Sequence, residues 1–188
     1  MSAPLIIGIG GTPRAGSTTE RALGLSLKAA EAAGARTLLF GGEFLERLPH
    51  FNPGPAGPSA EQTELAEAVR AASGVILATP GYHGSLSGLV KNALDTLELT
   101  RADEAPYFQG KPVGIIITAD GAQAAGTTLM AVRAIIHAMR GWPTPFGAAL
   151  NARDLFDAAG ACREAKDAWQ LATVAEQVME FAAMRAAS

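Results

Sequence analysis

The stretch Leu5-Ile6-Ile7-Gly8-Ile9-Gly10 is followed directly by Gly11-Thr12-Pro13-Arg14-Ala15-Gly16-Ser17-Thr18-Thr19, and then by a helical pattern of apolar residues. The apolar run predicts a buried strand, and the hydroxyl-rich segment after it predicts a loop that ends at a helix N-terminus. A helix start presents backbone N–H groups without partners and the positive end of the helix dipole, so it attracts anions. We therefore predict a phosphate site at this loop, formed by Thr12, Arg14, Ser17, Thr18 and Thr19.

The residues of this loop decide between kinds of phosphate ligand. A dinucleotide-binding fingerprint that starts at Gly8–Gly10 needs a third glycine where Pro13 stands, and a triphosphate-binding loop needs a lysine where Ser17 stands. A monophosphate held by hydroxyls, amides and one arginine fits better. The alternative is that the loop binds nothing, because Ser17 with Glu20 forms only a capping box and the arginine is a solvated charge.

A second glycine-rich segment follows another apolar run. Residues 74–79 read GVILAT, and residues 80–95 read PGYHGSLSGLVKNALD. Together with the first loop, this segment resembles the NAD(P)H-dependent FMN reductase family of flavodoxin-like proteins. Members of that family carry Gly-Ser/Thr-x-Arg-x-x-Ser after the first strand and Pro-x-Tyr-x-Gly-Ser-x-x-Gly-x-x-Lys-Asn-x-x-Asp after the third. Both patterns match almost position by position, and the likeness, including Gly110–Val113 before an apolar strand, extends to about residue 150.

The resemblance implies a bound FMN that takes hydride from NADPH or NADH. Pro80 and Gly81 form a sharp turn, and the amides after it can pair with the pyrimidine edge of the flavin without interference from side chains. No catalytic side chain is expected, because the nicotinamide passes hydride directly to the flavin. The predicted residues around the ring are Pro80, Gly81, Tyr82, His83, Gly84, Ser85, Asp120 and Gly121.

Two of these residues carry open alternatives. His83 either contacts the flavin, where it would donate a proton to a quinone product, or only positions the turn. Asp120 stands in the segment Thr118–Gly121, where members of the family often have glycines, so the flavin contacts of this third loop are left open. His50, His83 and His137 are far apart, without the cysteine or carboxylate spacing that indicates a metal site.

Apolar runs alternate with helical patterns along the chain, and runs without polar alternation are typical of a parallel sheet covered on both faces. We predict an α/β fold of the flavodoxin type, a doubly wound five-stranded parallel sheet in the order 2-1-3-4-5, with the ligand between strands 1 and 3. The predicted strands are 5–10, 37–40, 74–79, 113–117 and 146–150, and Leu23, Leu65, Leu94, Val132 and Val178 mark the helices. Residues 1–188 are predicted to form a single FMN-binding domain.

The segment between the second strand and its following helix is predicted to be a loop. Residues 41–59 contain four prolines and four glycines, too many for regular structure. Leu48, Phe51 and Asn52 either form part of a lid over the flavin or pack the loop down. Ser59 and Gln62 predict a capping box at the start of the next helix.

Composition limits the partners. The net charge is −3, the sequence pI is about 5.6, and lysines and arginines are scattered, so no basic stripe is offered to nucleic acid or to an anionic membrane. No stretch approaches the ~18 apolar residues that span a bilayer. Cys162 is the one cysteine, which excludes an internal disulfide and predicts an inert thiol. With no secretory leader at the N-terminus, we expect a cytoplasmic protein that acts on small molecules.

Apolar side chains off the core-facing side of the chain predict self-association. Leu86, Leu89 and Ala93 occupy other faces near the helix after the third strand, and Tyr107–Phe108 would expose aromatic area in a monomer. The resemblance implies a homodimer or tetramer in which the helices after strands three and four pack about a two-fold axis. It also implies a monooxygenase that receives reduced flavin. The alternatives are a quinone, azo or metal-oxyanion reductase, or a flavodoxin-type electron carrier, which usually has a more acidic surface.

Overall fold

Strands and helices alternate in the order that a doubly wound sheet requires. The computed structural model describes residues 3–54 and 57–187. The strands are β1 (Leu5–Gly10), β2 (Arg36–Phe40), β3 (Gly74–Pro80), β4 (Pro112–Ala119), β5 (Trp142–Pro143) and β6 (Ala148–Asn151). The helices are α1 (Thr18–Ala32), α2 (Gly42–Arg47), α3 (Ala60–Ala71), α4 (Gly88–Thr96), α5 (Ala122–Ala138) and α6 (Ala165–Ala186), and the 3-10 helix Leu97–Thr100 follows α4.

The sheet is parallel throughout and has the strand order β2-β1-β3-β4-β5, with β6 also paired to β4. Gly8 of β1 lies beside Ile76 of β3, which lies beside Gly114 of β4. The predicted order 2-1-3-4-5 and the flavodoxin-like fold are therefore confirmed. The strand order reverses between β1 and β3, and a ligand crevice is expected outside their carboxyl ends.

The fifth position of the sheet differs from the prediction of one strand over residues 146–150. Trp142–Pro143 pairs with the start of β4, and Ala148–Asn151 pairs with its end. Pro143 still pairs with Val113 of β4, but Pro145 interrupts the segment, because a proline has no N–H to give to a ladder. The chain bends there, and the Thr144 hydroxyl donates to the Phe146 carbonyl at 3.0 Å. The prediction was thus wrong at Phe146 and right at Ala148.

Successive residues of β1 supply two separate cores. Ile6 packs on one face of the sheet among residues of α1 and α6, and Ile7 packs on the other among residues of α3, α4 and α5. Both side chains are fully buried, which stabilises the fold by about 1.5–3 kcal/mol for each side chain of this size. No helix among residues 3–54 and 57–187 is both long and apolar enough to cross a membrane.

The segment 41–59 is only partly the loop that was predicted. Residues 42–47 form α2, so the expectation of no regular structure was wrong there. Leu48 is buried in the core, and the Asn92 side chain accepts from the Phe51 N–H at 2.9 Å and donates to the Pro49 carbonyl at 3.0 Å. These contacts support the reading in which the segment is packed down. Pro55 and Ala56 of the predicted loop lie outside the described residues.

The aromatic pair before β4 is also packed differently from expectation. Phe108 is fully buried, and its N–H donates to the Met139 carbonyl at 3.1 Å. Ala93 is fully buried too, while Tyr107 is partly buried against the same core. The argument for self-association from exposed area at Phe108 and Ala93 was therefore wrong, because this chain covers those side chains itself.

Candidate functional site

A cavity of about 330 Å³ opens at the carboxyl ends of β1, β3 and β4, where the strand order predicts a ligand. Its volume falls at the lower end of the range for small-molecule sites. The lining residues come from four separate segments of the chain. They are Thr12, Arg14, Ser17, Thr18, Thr19, Pro80, Gly81, Tyr82, Thr118, Ala119, Asp120, Gly121, Ala124 and Ala152. The structure thus brings together every predicted site residue except His83, Gly84 and Ser85.

The first loop ends at the N-terminus of α1, as predicted. The Ser17 hydroxyl accepts from the Glu20 N–H at 3.3 Å and caps the helix. The N–H groups of Thr18 and Thr19, the first two residues of the helix, have no partner within it. Arg14 is exposed, and its guanidinium makes no hydrogen bond or ion pair with the described residues. Hydroxyls, free amides and an unpaired cation are the donor set that a phosphate monoester requires.

The alternative of a capping box between Ser17 and Glu20 is only half realised. The Glu20 carboxylate turns away from Ser17 and accepts from the Gly42 N–H at 2.7 Å, at the start of α2. A Cβ on Gly42 would lie 1.8 Å from the Thr12 carbonyl oxygen, so only glycine permits this approach. Glu20 therefore holds the second strand's loop against the phosphate loop. Sequence reasoning missed this role, because no local spacing connects residues 20 and 42.

The second motif builds a tight turn beside the cavity, but the prediction of a turn at Pro80 and Gly81 was wrong. Pro80 is still part of β3, and the Gly81 N–H continues the pairing with β4 at the Thr118 carbonyl. Tyr82 and Ser85 exchange both backbone hydrogen bonds, at 2.9 and 3.0 Å. The two residues between them, His83 and Gly84, have φ values of 52° and 81°, as a type I′ turn requires. His83 is exposed and does not line the cavity. Its position favours the reading in which it shapes the turn.

The start of α4 explains other residues of the second motif. The Ser87 hydroxyl caps α4 by accepting from the Val90 N–H at 3.2 Å, and the Ser87 N–H donates to the Thr79 hydroxyl at 3.0 Å. Lys91 and Asp95 form an ion pair at 2.6 Å one turn apart on this helix. Lys91 and Asp95 of the Lys-Asn-x-x-Asp pattern thus pair with each other on the surface of α4 and do not line the cavity.

Gly81, in the second motif, packs closely against α5 and the end of β4. Its N–H donates to the Thr118 carbonyl at 2.9 Å, and its φ lies outside the left-handed region. A Cβ at this position would lie 2.9 Å from the Thr128 hydroxyl and 3.2 Å from the Ala119 Cβ. A bare Cα is needed here because α5 approaches closely, a reason that the sequence did not show.

Thr118 lines the cavity, although neither motif contains it. Its hydroxyl lies 2.6 Å from the hydroxyl of Thr19, and both side chains are buried. This bond joins the end of β4 to the first turn of α1 and occupies the Thr19 hydroxyl, so Thr19 presents mainly its N–H to a ligand. The place of Thr118 at the carboxyl end of a central strand was a usable signal. Ala152, which reaches the cavity from the end of β6, had none.

Asp120 is the one carboxylate among the residues that line the cavity. It pairs with Arg153, at 3.3 Å between Oδ2 and a guanidinium nitrogen. Arg153 lies in the loop after β6, where its N–H donates to the Asn151 side chain at 3.1 Å. The negative charge of the third loop is therefore matched by a cation from a fourth segment.

Cys162 lies away from this cavity. Burial raises the pKa of its thiol above the usual range, and nearby Asp167 adds to the shift. The thiolate is the reactive form of cysteine, so this environment favours the inert thiol that was expected.

The fold and the cavity define a flavodoxin-like α/β protein with a hydroxyl-rich loop and a helix N-terminus at its topological switch point. The chain belongs to the NADPH-dependent FMN reductase family, whose model matches residues 4–154. This match confirms the resemblance inferred from the two motifs.

Several proteins are similar to this chain in sequence or in fold. An FMN-dependent NADPH-azoreductase of Staphylococcus aureus is 40% identical over 82 residues, which are 44% of this chain and 40% of that protein. The matched segment thus spans less than half of the relative. The fold resembles that of the flavoenzyme NAD(P)H:(acceptor) oxidoreductase FerB from Paracoccus denitrificans, with a TM-score of 0.73, 20% identity and coverage of 97% and 99% of the two chains. It also resembles an apo NADH:FMN oxidoreductase, EmoB, with a TM-score of 0.70, 22% identity and coverage of 97% and 90%.

Proposed function

We propose that this chain is an NAD(P)H-dependent FMN oxidoreductase that binds FMN in the cavity at the carboxyl edge of the sheet. The observation that carries the proposal is the meeting of two features in one cavity. The hydroxyl- and amide-rich start of α1 with Arg14 suits a phosphate, and the backbone at Pro80–Tyr82, where β3 ends, suits the edge of a flat, polar ring. Family membership supports the choice of FMN and of a nicotinamide reductant.

FMN, when bound, supplies the redox chemistry by accepting a hydride from NADPH or NADH, which is oxidised to NADP⁺ or NAD⁺. The chain's own residues bind and orient. Thr12, Arg14, Ser17 and Thr18 would hold the phosphate by their side chains, assisted by the N–H of Thr19. The backbone of Pro80, Gly81, Tyr82 and Gly121, which also lines the cavity, would orient the ring. A backbone N–H near the ring would stabilise the negative charge of the reduced flavin. No side chain of this set has to act as a nucleophile.

The final electron acceptor is proposed to be a small molecule such as an azo compound or a quinone. The observation that favours this reading is the 40% identical segment shared with an FMN-dependent NADPH-azoreductase. The second reading, delivery of reduced flavin to a monooxygenase in the cytoplasm, uses the same cavity.

One experiment separates these activities. NADPH and NADH oxidation is followed by stopped flow with FMN, FAD, a quinone and an azo dye offered in turn to the purified chain. The proposal expects rapid oxidation with FMN present and turnover of at least one acceptor. A chain that binds FMN but leaves both nicotinamides unoxidised would be a flavodoxin-type carrier instead.

We propose further that the chain is a homodimer, with α5 at the interface. The exposed residues of this helix carry no aspartate, glutamate, lysine or arginine, although a solvated helix face is normally charged. They are Ala122, Gln123, Gly126, Thr127, Met130, Ala134, His137 and Ala138, and the side chain of Met130 is 66% exposed. The face begins next to Gly121 and Ala124, which line the cavity. A partner there would add a wall to the nicotinamide site, and pairs of dimers would give a tetramer.

Light scattering at micromolar concentration tests the dimer. The chain mass is 19.3 kDa, so a dimer is expected near twice that value. Met130→Glu places a charge in the centre of the proposed interface and should give a monomer that keeps its fold and oxidises NADPH more slowly. A fully active protein of monomer mass contradicts this arrangement.

A further inference from the structure

The ion pair between Asp120 and Arg153 has a structural peculiarity. Asp120 lines the cavity, whereas Arg153 lies outside the lining and pairs with the Asp120 carboxylate. The two side chains are 63% and 70% exposed, so the pair contributes little to folding. Because Asp120 lines the cavity, the pair instead sets part of the charge that a ligand meets there.

The Asp120 carboxylate shares one cavity with the predicted phosphate loop. Asp120 lines the same cavity of about 330 Å³ as Arg14, Ser17 and Thr18. The hydroxyl of Thr118, two residues before Asp120, lies 2.6 Å from that of Thr19, the second residue of α1. A cavity of this volume is on the order of the Debye length across, which is about 10 Å at 0.1 M salt. A negative charge on Asp120 therefore acts on a phosphate bound at the start of α1.

The backbone fixes Arg153 beside this carboxylate. The Ala152 N–H donates to the Ala119 carbonyl at 2.9 Å, so the loop after β6 continues the pairing with β4. The Arg153 N–H is held by the Asn151 side chain. These two bonds place an arginine next to Asp120 without help from a ligand.

We propose that Arg153 is a specificity-determining residue, which neutralises Asp120 so that the cavity accepts a phosphorylated flavin as readily as a neutral one. The inference rests on the proposed binding of FMN. A phosphate monoester carries about −1.5 to −2 charges at pH 7, so it is repelled by an unmatched carboxylate nearby. Riboflavin lacks that group and is insensitive to the same charge.

The test is a cycle of four proteins in which the local charge of the pair is set separately. The pair sums to zero in the wild type, to −1 in Arg153→Gln, to +1 in Asp120→Asn and to zero again in the double variant. Because the interaction follows the summed charge, Arg153→Gln should weaken FMN binding on the order of threefold, and Asp120→Asn should strengthen it by a similar factor. The double variant should return to the wild-type affinity.

Fluorescence quenching titrations with FMN and riboflavin supply the measurement. All four proteins should bind riboflavin within twofold of one another. The spread in FMN affinity should shrink at 1 M salt, where the Debye length is about 3 Å. Arg101→Gln is the matched control, because it removes an exposed arginine that follows the 3-10 helix and does not line the cavity. It should leave both affinities unchanged.

Other results overturn the inference in distinct ways. If the double variant stays as weak as Arg153→Gln, then Arg153 binds the ligand directly. If Asp120→Asn weakens binding of both flavins, then the carboxylate is itself a ring contact. Equal FMN affinities in all four proteins overturn this inference alone, whereas a wild-type chain that binds no FMN overturns the proposed function with it.

Discussion

The two edges of the sheet are closed in different ways. At the carboxyl edge, loops rich in glycine and hydroxyl groups surround a cavity, and the cation Arg14 has no partner among the described residues. At the amino edge, side chains close onto the protein itself. Phe108 is fully buried there, and the Lys111 ammonium donates to the Ala72 carbonyl at 2.7 Å, at the end of α3. The cavity with the two motifs therefore lies at one edge and a fully buried aromatic side chain at the other, so FMN binding and stability should be separable by mutation.

The largest expected effect lies at the amino edge. Phe108→Ala removes a fully buried aromatic ring before β4 and leaves a cavity, which should lower the free energy of unfolding by about 3–5 kcal/mol. FMN affinity, measured on the folded fraction in the absence of denaturant, should change less than twofold. Urea unfolding and fluorescence quenching supply the two numbers. A large loss of affinity would show that the two edges are coupled, against the comparison above.

The next effect lies at the carboxyl edge. Gly81→Val forces side-chain atoms against Thr128 and Ala119, so the second loop must move away from α5. We expect FMN binding to weaken by about a hundredfold, equivalent to roughly 2.7 kcal/mol, while the far-UV circular dichroism stays nearly unchanged. Gly88→Val is the matched control in the same motif, because a Cβ there meets no atom within 4 Å. Normal FMN binding by the Gly81 variant would remove the second loop from the site.

A smaller effect is expected from the charge of the phosphate loop. Arg14→Ala removes a charge-assisted hydrogen bond to phosphate, a contact that typically contributes about 1.5–3 kcal/mol, so FMN affinity should fall about tenfold or more. Riboflavin affinity and the urea midpoint should not change, because the Arg14 side chain has no bond to the described residues. Unaltered FMN affinity would mean that this loop does not bind the phosphate.

The sequence predicted a site residue when its partners lie next to it along the chain, and missed it when they lie in a distant segment. The first two loops could be identified because their residues are consecutive and follow directly on β1 and β3. The role of Glu20 could not be seen, since its partner Gly42 belongs to another βα unit. The same holds for Arg153, whose approach to Asp120 depends on how β6 pairs with β4. The cores of the strands were predicted well because burial on both faces leaves continuous apolar runs.

The fifth strand and α2 were predicted wrongly although local signals were present, because a proline or a tertiary contact overrode those signals. Phe146 belongs to an apolar run, but Pro145 interrupts the ladder directly before it. Gly41 and Gly42 contribute to the prediction of a loop, although Gly42 starts a helix against the Thr12 carbonyl. Close approach of two backbones is a tertiary requirement for glycine, and composition alone cannot distinguish it from a turn.

The smallest expected effect sharpens the comparison at the amino edge through pH. Burial lowers the pKa of Lys111 below its usual value, since the charged form loses hydration. Between this lowered pKa and the ordinary one near 10.5, the unfolded chain holds more protons on this group than the folded chain. The contribution of Lys111 to the free energy of unfolding therefore rises with pH across that interval and is least favourable below it.

Urea unfolding of the wild type and of Lys111→Met, from pH 7 to pH 10.5, should show the wild type gaining stability relative to the variant as pH increases. Lys28→Met, at an exposed position on α1, is the control and should run parallel to the wild type. A constant difference between the wild type and Lys111→Met would mean that the buried ammonium is fully compensated by the Ala72 carbonyl.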